Sequence, residues 1–582
     1  MKTFLRGGLA GVGAAAAALG VAEIVAVATG PTSAPLLAVG GVVVDNVPAP
    51  VKDFGIAVFG VHDKTALLTG TAILLVAYAF GAGVVAVRRW WAAVGMVGLF
   101  GLVGVVAALT RHDAGIAAAL PSVIAAAVAV VVLRGLLGVS EGVPIREALS
   151  RAWTPTRSGE GSAARGDGVA AGRGAGVAAG RGAGVAVGVG SGSRSSEAGG
   201  DPGLVARDAV PGGGAGVAVA VGGEGRAYSE EGRRRFLKGL GLVVGVSAVG
   251  GIAGRLLTGR KAVSAARGNV VLPAARQAAP VVPAGVRAPG AVAYVTSNDD
   301  FYRIDTSLYP PQIDPANWQL RIHGMVRNPI TLSWDDLLRR PMVERYVTLA
   351  CVSNEVGDSL IGNALWLGTP IKALLDEADP LPDADQVVQR SVDGWTCGSP
   401  TSVLRDGRDA LLAVGMNGKA LPVEHGFPVR MVVPGLYGYV SACKWITEIE
   451  VTRFADFDAY WVPRGWSAQG PIKTQSRIDS PRGGAKKPAG AVTIAGVAWA
   501  QHKGIAKVEV QIDEEPWQVA TLAVTVSSDT WRQWSHVWTA TPGKHRIRVR
   551  ATDTTGYTQT STQAPPAPDG ATGWHGIDVT IE

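Results

Sequence analysis

The chain has 582 residues, 47% of them hydrophobic and 17% charged, with 54 Lys and Arg against 47 Asp and Glu for a formal charge of +7. That length exceeds what one hydrophobic core organises, so several domains are expected. Three cysteines (Cys351, Cys397 and Cys443) are too few and too odd a number for a disulfide scaffold. The basic excess does not point to nucleic acid either, because the arginines before Lys238 flank apolar runs or dot a glycine-rich spacer, where they read as membrane topology signals.

Four apolar runs open the chain: 7–29, interrupted only by Glu23, then 66–87, 92–110 and 114–133. Each is close to the ~20 residues a spanning helix needs. With the N-terminus inside, Lys2, Arg6, the Arg88-Arg89-Trp90-Trp91 turn and Arg134 all fall on the cytoplasmic side, so residues 1–135 are expected to form a membrane domain of about four helices. Glu23 falls toward the outer interface of the first run, where a structural role is the default.

Residues 136–232 form a spacer of Gly, Ala, Val, Ser and Arg, in which Ala-Ala-Gly-Arg-Gly-Ala-Gly-Val occurs twice in tandem at 170–185. So few large side chains cannot offset chain entropy, and the segment is expected to be a flexible cytoplasmic tether. No aromatic residue lies between Trp153 and Tyr228 on which a base could stack, which argues against RNA binding.

Next stands Gly232-Arg233-Arg234-Arg235-Phe236-Leu237-Lys238, followed by an uncharged run from 239 to 254. This is the pattern of a twin-arginine export signal, which passes domains already folded, usually around a cofactor. Residues 233–260 are read as that signal and a fifth span leading outward. Small residues at Val263-Ser264-Ala265 could be cleaved, but an anchored product is preferred, since four preceding helices would otherwise have no evident purpose.

The exported half divides in two. Residues 290–466 mix strand-like runs, such as 428–433, with helical patterns such as 333–339, where Ser333 suits an N-cap and Asp335 and Asp336 a first turn. Residues 467–582 show strict alternation: Ala506, Val508, Val510 and Ile512 against Lys507, Glu509, Gln511 and Asp513, then Ile547, Val549 and Ala551 against Arg546, Arg548 and Arg550. With turns at Pro542-Gly543 and Thr555-Gly556, that predicts an Ig-like antiparallel β-sandwich. The fold class is therefore multi-domain: a helical membrane region, a mixed α+β domain and a β-sandwich.

Cys351 closes the strand-like run Tyr346-Val347-Thr348-Leu349-Ala350, just where a side chain becomes accessible to a ligand. A second segment gives that thiol a context. It runs Asn417-Gly418-Lys419-Ala420-Leu421-Pro422-Val423-Glu424-His425-Gly426-Phe427-Pro428-Val429-Arg430, with Cys443-Lys444-Trp445 after it. Together these residues resemble the sulfite oxidase family of molybdenum-cofactor enzymes, over roughly residues 294–582, the sandwich resembling that family's dimerisation domain.

The resemblance implies a molybdenum-molybdopterin cofactor. Cys351 would be the thiolate ligand, a soft donor suited to the metal. His425, Arg430 and Lys444 would offer fixed donors to the pterin and its phosphate. Asn354 matches the family's asparagine, Asp393 an acidic contact, and Cys443 a backbone position beside the cofactor. Upstream, Asn298, Tyr302 and Arg303 fall in the segment that carries cofactor contacts and an active-site arginine, and Arg303 is the candidate for it. Cys397 is read as a core thiol, with a Cys397–Cys443 disulfide left open.

Two positions depart from the sulfite-oxidising pattern. The chain continues Asn354-Glu355-Val356-Gly357, placing an acid where arginines would attract an oxyanion, and the family's active-site tyrosine falls near Trp466. Reduction of sulfoxides or other oxidised small molecules thus stands beside oxidation of sulfite. With no Cys-x-x-Cys-His and no cysteine cluster, electrons would pass through a separate carrier, such as a cytochrome or a quinone-linked protein. A haem held by His62 and His112 is the lesser alternative, as interfacial histidines are commonly solvated. The expectation is a multi-pass membrane protein with an extracytoplasmic catalytic domain, exported by the twin-arginine machinery and able to form a homodimer. The rival is a membrane-anchored binding or assembly protein that keeps the fold without turnover.

Overall fold

The computed structural model describes residues 3–30, 33–47, 63–110, 115–139, 230–257, 260–307 and 309–582. The tandem repeat, His62 and His112 lie outside the described residues.

Helices α1 (Thr3–Thr29), α2 (Pro35–Asn46), α3 (Asp63–Arg88), α4 (Trp90–Leu109) and α5 (Leu120–Val139) begin the described chain. Among the described residues, four helical segments, Thr3–Thr29, Ala66–Arg88, Trp90–Leu109 and Ile116–Gly138, are long and apolar enough to cross a membrane. These coincide with the four runs read from the sequence, whereas α2 was not foreseen. The arginine-rich motif begins α6 (Glu230–Leu257), whose Phe236, Leu240 and Val243 share one apolar cluster with Ala10 and Ala14 of α1 and Leu133 and Leu136 of α5. Helix α7 (Arg260–Gly268) follows, and Arg267 there donates to the carbonyls of Leu421 (2.6 Å) and Ala420 (3.0 Å). Val263 is buried with Val347, Trp366 and Phe427, so the mixed domain gathers chain from well before Tyr294.

Two five-stranded sheets build the mixed domain. One contains β1 (Gln319–Gly324), β2 (Ile330–Ser333), β5 (Gln386–Ser391), β6 (Thr396–Pro400) and β10 (Ile446–Thr452) in the order β2-β1-β10-β5-β6; β1 and β10 run parallel and the other pairs antiparallel. The other contains β3 (Val343–Ala350), β4 (Ile361–Pro370), β7 (Leu411–Met416), β8 (Lys419–Ala420) and β9 (Arg430–Val432), with order β3-β4-β7-β8 and β9 also on β7. Short helices α8 (Trp334–Leu338), α9 (Ile371–Ala378) and α10 (Thr401–Arg405) connect them. Ser333 does cap α8: its hydroxyl accepts from Asp336 N, and the Asp336 carboxylate accepts from Ser333 N at 3.0 Å, a reciprocal box that ties down two end donors.

The last domain is a sandwich of two sheets. Strands β11 (Gln475–Ser480), β13 (Gly490–Trp499), β16 (Thr521–Leu522) and β17 (Arg532–Ala540) form one, in the order β11-β13-β17-β16. Strands β12 (Lys486–Lys487), β14 (Ile505–Ile512), β15 (Gln518–Val519), β18 (Gly543–Asp553) and β19 (His575–Ile581) form the other, in the order β12-β19-β18-β14-β15. Ile547, Val549 and Ala551 are buried between the sheets as the alternation predicts. At the start of β14 the alternation misleads. A bulge between Ile505 and Lys507 puts Ile505 in the core and leaves Ala506 exposed, the extra residue resetting which side chains face inward.

The two globular domains meet along β3. That strand is the edge of its sheet, and its outward-facing groups at Thr348 would otherwise be unpaired. Thr348 N donates to Asp529 O (3.0 Å), Gln501 Nε2 donates to Thr348 O (3.0 Å), and Trp531 N donates to the Thr348 hydroxyl (2.8 Å). Thr348 Oγ1 in turn donates to Asn363 Oδ1 on β4 (3.0 Å). Tyr294 O receives bonds from both Asn363 Nδ2 and Trp531 Nε1, each at 2.9 Å.

Candidate active site

Strand β3 delivers Cys351 at its C-terminal end, 8% exposed. The loop after it is closed at its base by Cys351 N donating to Leu360 O (2.9 Å) and by Leu360 N donating to Asn354 Oδ1 (2.8 Å). Burial pushes the Cys351 thiol up; bonds from the Ser353 backbone and hydroxyl and the charge of Lys444 pull it back, while Asp358 opposes them. A thiol so placed ionises when a cation is supplied to it.

The Asn417-Gly418 pair forms the two-residue turn between β7 and β8, with φ values of 51° and 76°, a conformation those residue types tolerate best. Asn417 Nδ2 donates to Thr296 O (2.9 Å) and to Asn298 Oδ1 (2.8 Å), which fixes the upstream segment against this hairpin. Asn298 O in turn accepts from His425 Nε2 at 3.0 Å; since a carbonyl can only accept, Nε2 holds the proton and Nδ1 is left as an acceptor. Burial, and the charge of Arg430, hold the His425 pKa down to about 4, so the ring is neutral at pH 7.

Gly426 follows His425 at φ 110°, and a Cβ there would sit 2.9 Å from Arg430 Cβ and 3.2 Å from Lys444 Cβ. The glycine is what lets Arg430 and Lys444, bridged to each other across their backbones, converge on His425. Arg430 is buried over the Trp366 ring (5.0 Å), its Nε donating to Met431 O (3.2 Å) and its Nη1 to His425 O (3.1 Å). Burial lowers its pKa to about 10. Lys444 Nζ donates to Asp305 Oδ2 (2.7 Å) and Glu424 O (3.3 Å), and burial lowers its pKa to about 8 even though Asp305 opposes the shift. Arg303 Nε donates to the same Asp305 oxygen at 3.1 Å. Two cations thus share one buried carboxylate, and Arg430 lies close enough to Lys444 and His425 for its charge to lower the pKa of both.

Tyr302 stacks on Phe301 with ring centroids 5.1 Å apart, and its phenol is raised by burial and by Cys351, with Arg430 acting the other way. It therefore lies electrostatically between the thiol and the guanidinium. Cys351, Asn298, Tyr302, Arg303, His425, Arg430 and Lys444 belong to one neighbourhood. Three other sequence candidates have different surroundings. The Asn354 side chain closes the Cys351 loop. Asp393 Oδ1 accepts from Trp395 N (3.2 Å) in the β5–β6 turn, where Val392 N donates to Trp445 O (3.0 Å). Cys443 turns its sulfur into the core, and Cys397 Sγ donates to Gln389 Oε1 at 3.3 Å. All three cysteines are free thiols, so Cys397 and Cys443 do not form the disulfide left open above.

Sequence reasoning passed over Asp305, Ser353 and Tyr437. Asp305 lies two residues beyond Arg303 in the same polar segment, which is a readable signal. Tyr437, buried with its phenol raised by burial, is electrostatically coupled to Cys351, and its place before Gly438 gave no comparable cue. Trp466 packs on Trp461 (6.0 Å) and Tyr439 (5.8 Å).

The oxidoreductase molybdopterin binding domain family matches residues 307–461, and the bacterial Ig domain family matches 475–549. An uncharacterised oxidoreductase of Bacillus subtilis (strain 168) is 31% identical over 167 residues, covering 29% of this chain and 81% of that one. The chain belongs to the sulfite oxidase family of molybdopterin-dependent oxidoreductases. Within that family, mitochondrial sulfite oxidase of Homo sapiens is 28% identical over 321 residues, 47% of this chain and 58% of that protein. The catalytic subunit of protein-methionine-sulfoxide reductase from Gluconobacter oxydans (strain 621H) is 29% identical over 221 residues, 32% of this chain and 65% of that one. The chain thus spans less than two thirds of either relative. The resemblance carried by Cys351 and the Asn417 to Lys444 segment holds at the level of the family and its cofactor.

Proposed function

We propose that this protein is a membrane-anchored oxidoreductase whose domain at 290–466 transfers an oxygen atom to or from a small sulfur compound, with Cys351 as the protein's ligand to molybdenum. The observation that carries the reading is the density of cations: Arg303 and Lys444 share the one carboxylate of Asp305, while Arg430, buried close enough to depress the pKa of Lys444 and His425, donates to carbonyls, an arrangement that costs free energy until an anion joins it. A pterin phosphate is such an anion, and Arg430, with donors aimed only at carbonyls, and Lys444 would hold it. Among the described residues no three His, Cys, Asp or Glu side chains gather as a metal site, so the remaining ligands would arrive with the pterin. Bound there, the cofactor supplies a two-electron couple and oxygen-atom transfer chemistry.

The residues around it set what enters. His425, neutral and held by Asn298 O, presents an acceptor rather than a charge. Tyr302, kept protonated by burial, can donate a hydrogen bond beside Cys351. The Cys351 loop carries two acids, Glu355 and Asp358, which favours a neutral sulfoxide-type substrate over the sulfite dianion. Electrons would come from a separate carrier. The packing of Phe236 and Leu240 with α1 and α5, together with the burial of Val263, supports an uncleaved anchor, and the twin-arginine pattern at 232–238 would carry the catalytic domain to the outer side.

Molybdenum-loaded protein assayed with redox dyes against sulfite, methionine sulfoxide, dimethyl sulfoxide and N-oxides tests the reading. Turnover of a sulfoxide above sulfite is expected. Loaded protein that moves electrons to no member of the panel would favour a binding or assembly role instead.

A further inference from the structure

The segment that presents Cys351 is held from both sides by the β-sandwich. Upstream, Thr348, wholly buried and three residues before the thiol, is bonded through its N–H, its carbonyl and its hydroxyl to Asp529, Gln501 and Trp531. Downstream, the tip of the Cys351 loop meets Arg477 and His575. Arg477 Nη1 donates to Asp358 O at 2.8 Å, while its Nε is fixed by Asp479 Oδ1 at 2.7 Å. Both members of that ion pair are at most 10% exposed, so the guanidinium is committed to this one geometry. His575 is oriented by Ile478 N, which donates to its Nδ1 at 2.9 Å, and its ring packs against Gly357 so closely that a Cβ on Gly357 would overlap it. Gly357 also has φ 88°, where a side chain is strained.

A buried ion pair is a poor source of net stability, because desolvation offsets much of the attraction. Its use here is better explained by what it orients. The loop's own bonds, Cys351 N to Leu360 O and Leu360 N to Asn354 Oδ1, close its base, while at the tip Asp358 N donates to Glu355 O and the Asp358 carboxylate accepts from Ser359 N and Oγ, contacts between near neighbours that do not tie the tip to the rest of the domain.

We propose that the sandwich is a positioning element for Cys351: Arg477 and His575 clamp the loop tip while Gln501, Asp529 and Trp531 clamp β3, so the thiol is fixed by a domain separate from the one that supplies His425, Arg430 and Lys444. Arg477 and His575 are positioning residues. The inference deepens the reading of Cys351 as a ligand and rests on it for its purpose, but its geometry concerns the protein alone.

The test is alkylation of the cofactor-free, full-length protein by iodoacetamide, with the rate at each cysteine followed by mass spectrometry. Cys397 and Cys443, buried away from the loop, serve as internal controls. Arg477→Met should speed modification of Cys351 about tenfold or more, the effect of losing one charge-assisted bond, with the two controls unchanged. Arg477→Lys, which keeps a donor for Asp358 O, should restore most of the protection. Gly357→Ala, which pushes the tip off His575, should reproduce the Arg477→Met result. If all three cysteines speed up together, or none does, the residues only stabilise the fold and the proposal is overturned. Absence of molybdenum from the loaded wild type would remove the ligand reading, and the alkylation result would stand or fall without it.

Discussion

Lys444 Nζ and Asp305 Oδ2 lie 2.7 Å apart, and Asp305 is at the same time the acceptor for Arg303. One buried carboxylate therefore serves two cations while Arg430 stands nearby without one. Asp305→Asn should destabilise the cofactor-free protein by about 3 kcal/mol, the cost of breaking a buried pair, measured by urea titration. Loading the pterin should recover much of that loss, since its phosphate replaces the missing charge. Equal losses in loaded and cofactor-free protein would mean that the cations do not face an anion.

Arg430 is expected to be the strongest protein contact to the cofactor's charged end. Arg430→Met should weaken retention of the molybdenum cofactor by about 10- to 100-fold, the range for a charge-assisted bond in a desolvated site, read as metal content after extended dialysis. The Trp366 ring beneath it should tolerate the apolar replacement, so the fold should persist by circular dichroism.

Much of this site was legible because its residues carry chemistry and its turns need particular residue types. Cys351 stood at the end of a β-branched run, and Asn417-Gly418 and His425-Gly426 mark backbone turns that are conformationally demanding. Less visible was anything that depends on which strand is an edge. Thr348 looks like an ordinary strand threonine, yet it is the point where the sandwich attaches, because β3 is an edge strand whose outer side is covered near its start by Gln277 and left open at Thr348. Arg477 and His575, more than a hundred residues from Cys351 in sequence, could not be tied to it by local pattern. Neither could Asp305 be given a partner until Lys444 was brought beside it. The bulge at Ile505 was hidden for a similar reason: alternation specifies a face only while the register runs unbroken.

Acid should weaken the cofactor-free protein through its buried histidines. Burial holds His425 and His575 at about 4, below their unfolded values near 6.5. Between those limits the unfolded chain binds more protons than the folded one, so stability rises with pH across the window and is lost as pH falls from about 6.5 toward 4. The loss at His425 is on the order of 3 kcal/mol at most. Urea midpoints at pH 7 and pH 4.5 measure it, and His425→Asn should flatten the dependence. An unchanged slope in that variant would mean that the ring is protonated in the folded state.

Glu355 is expected to shape substrate choice. It is exposed on the Cys351 loop, where its charge opposes an approaching dianion. Glu355→Arg should raise kcat/KM for sulfite by about tenfold relative to a neutral sulfoxide, the lower range of electrostatic steering, with the difference shrinking at high salt. A gain that is independent of ionic strength would point to a packing effect instead.

The central claim is a bond from the Cys351 sulfur to molybdenum, and X-ray absorption at the molybdenum edge counts that sulfur directly. Loaded wild-type protein should show the pterin sulfurs plus one more, and Cys351→Ser should lose one sulfur while the protein stays folded. An identical sulfur count in the two proteins, or no molybdenum in a wild-type preparation matured with its cofactor, would contradict the account.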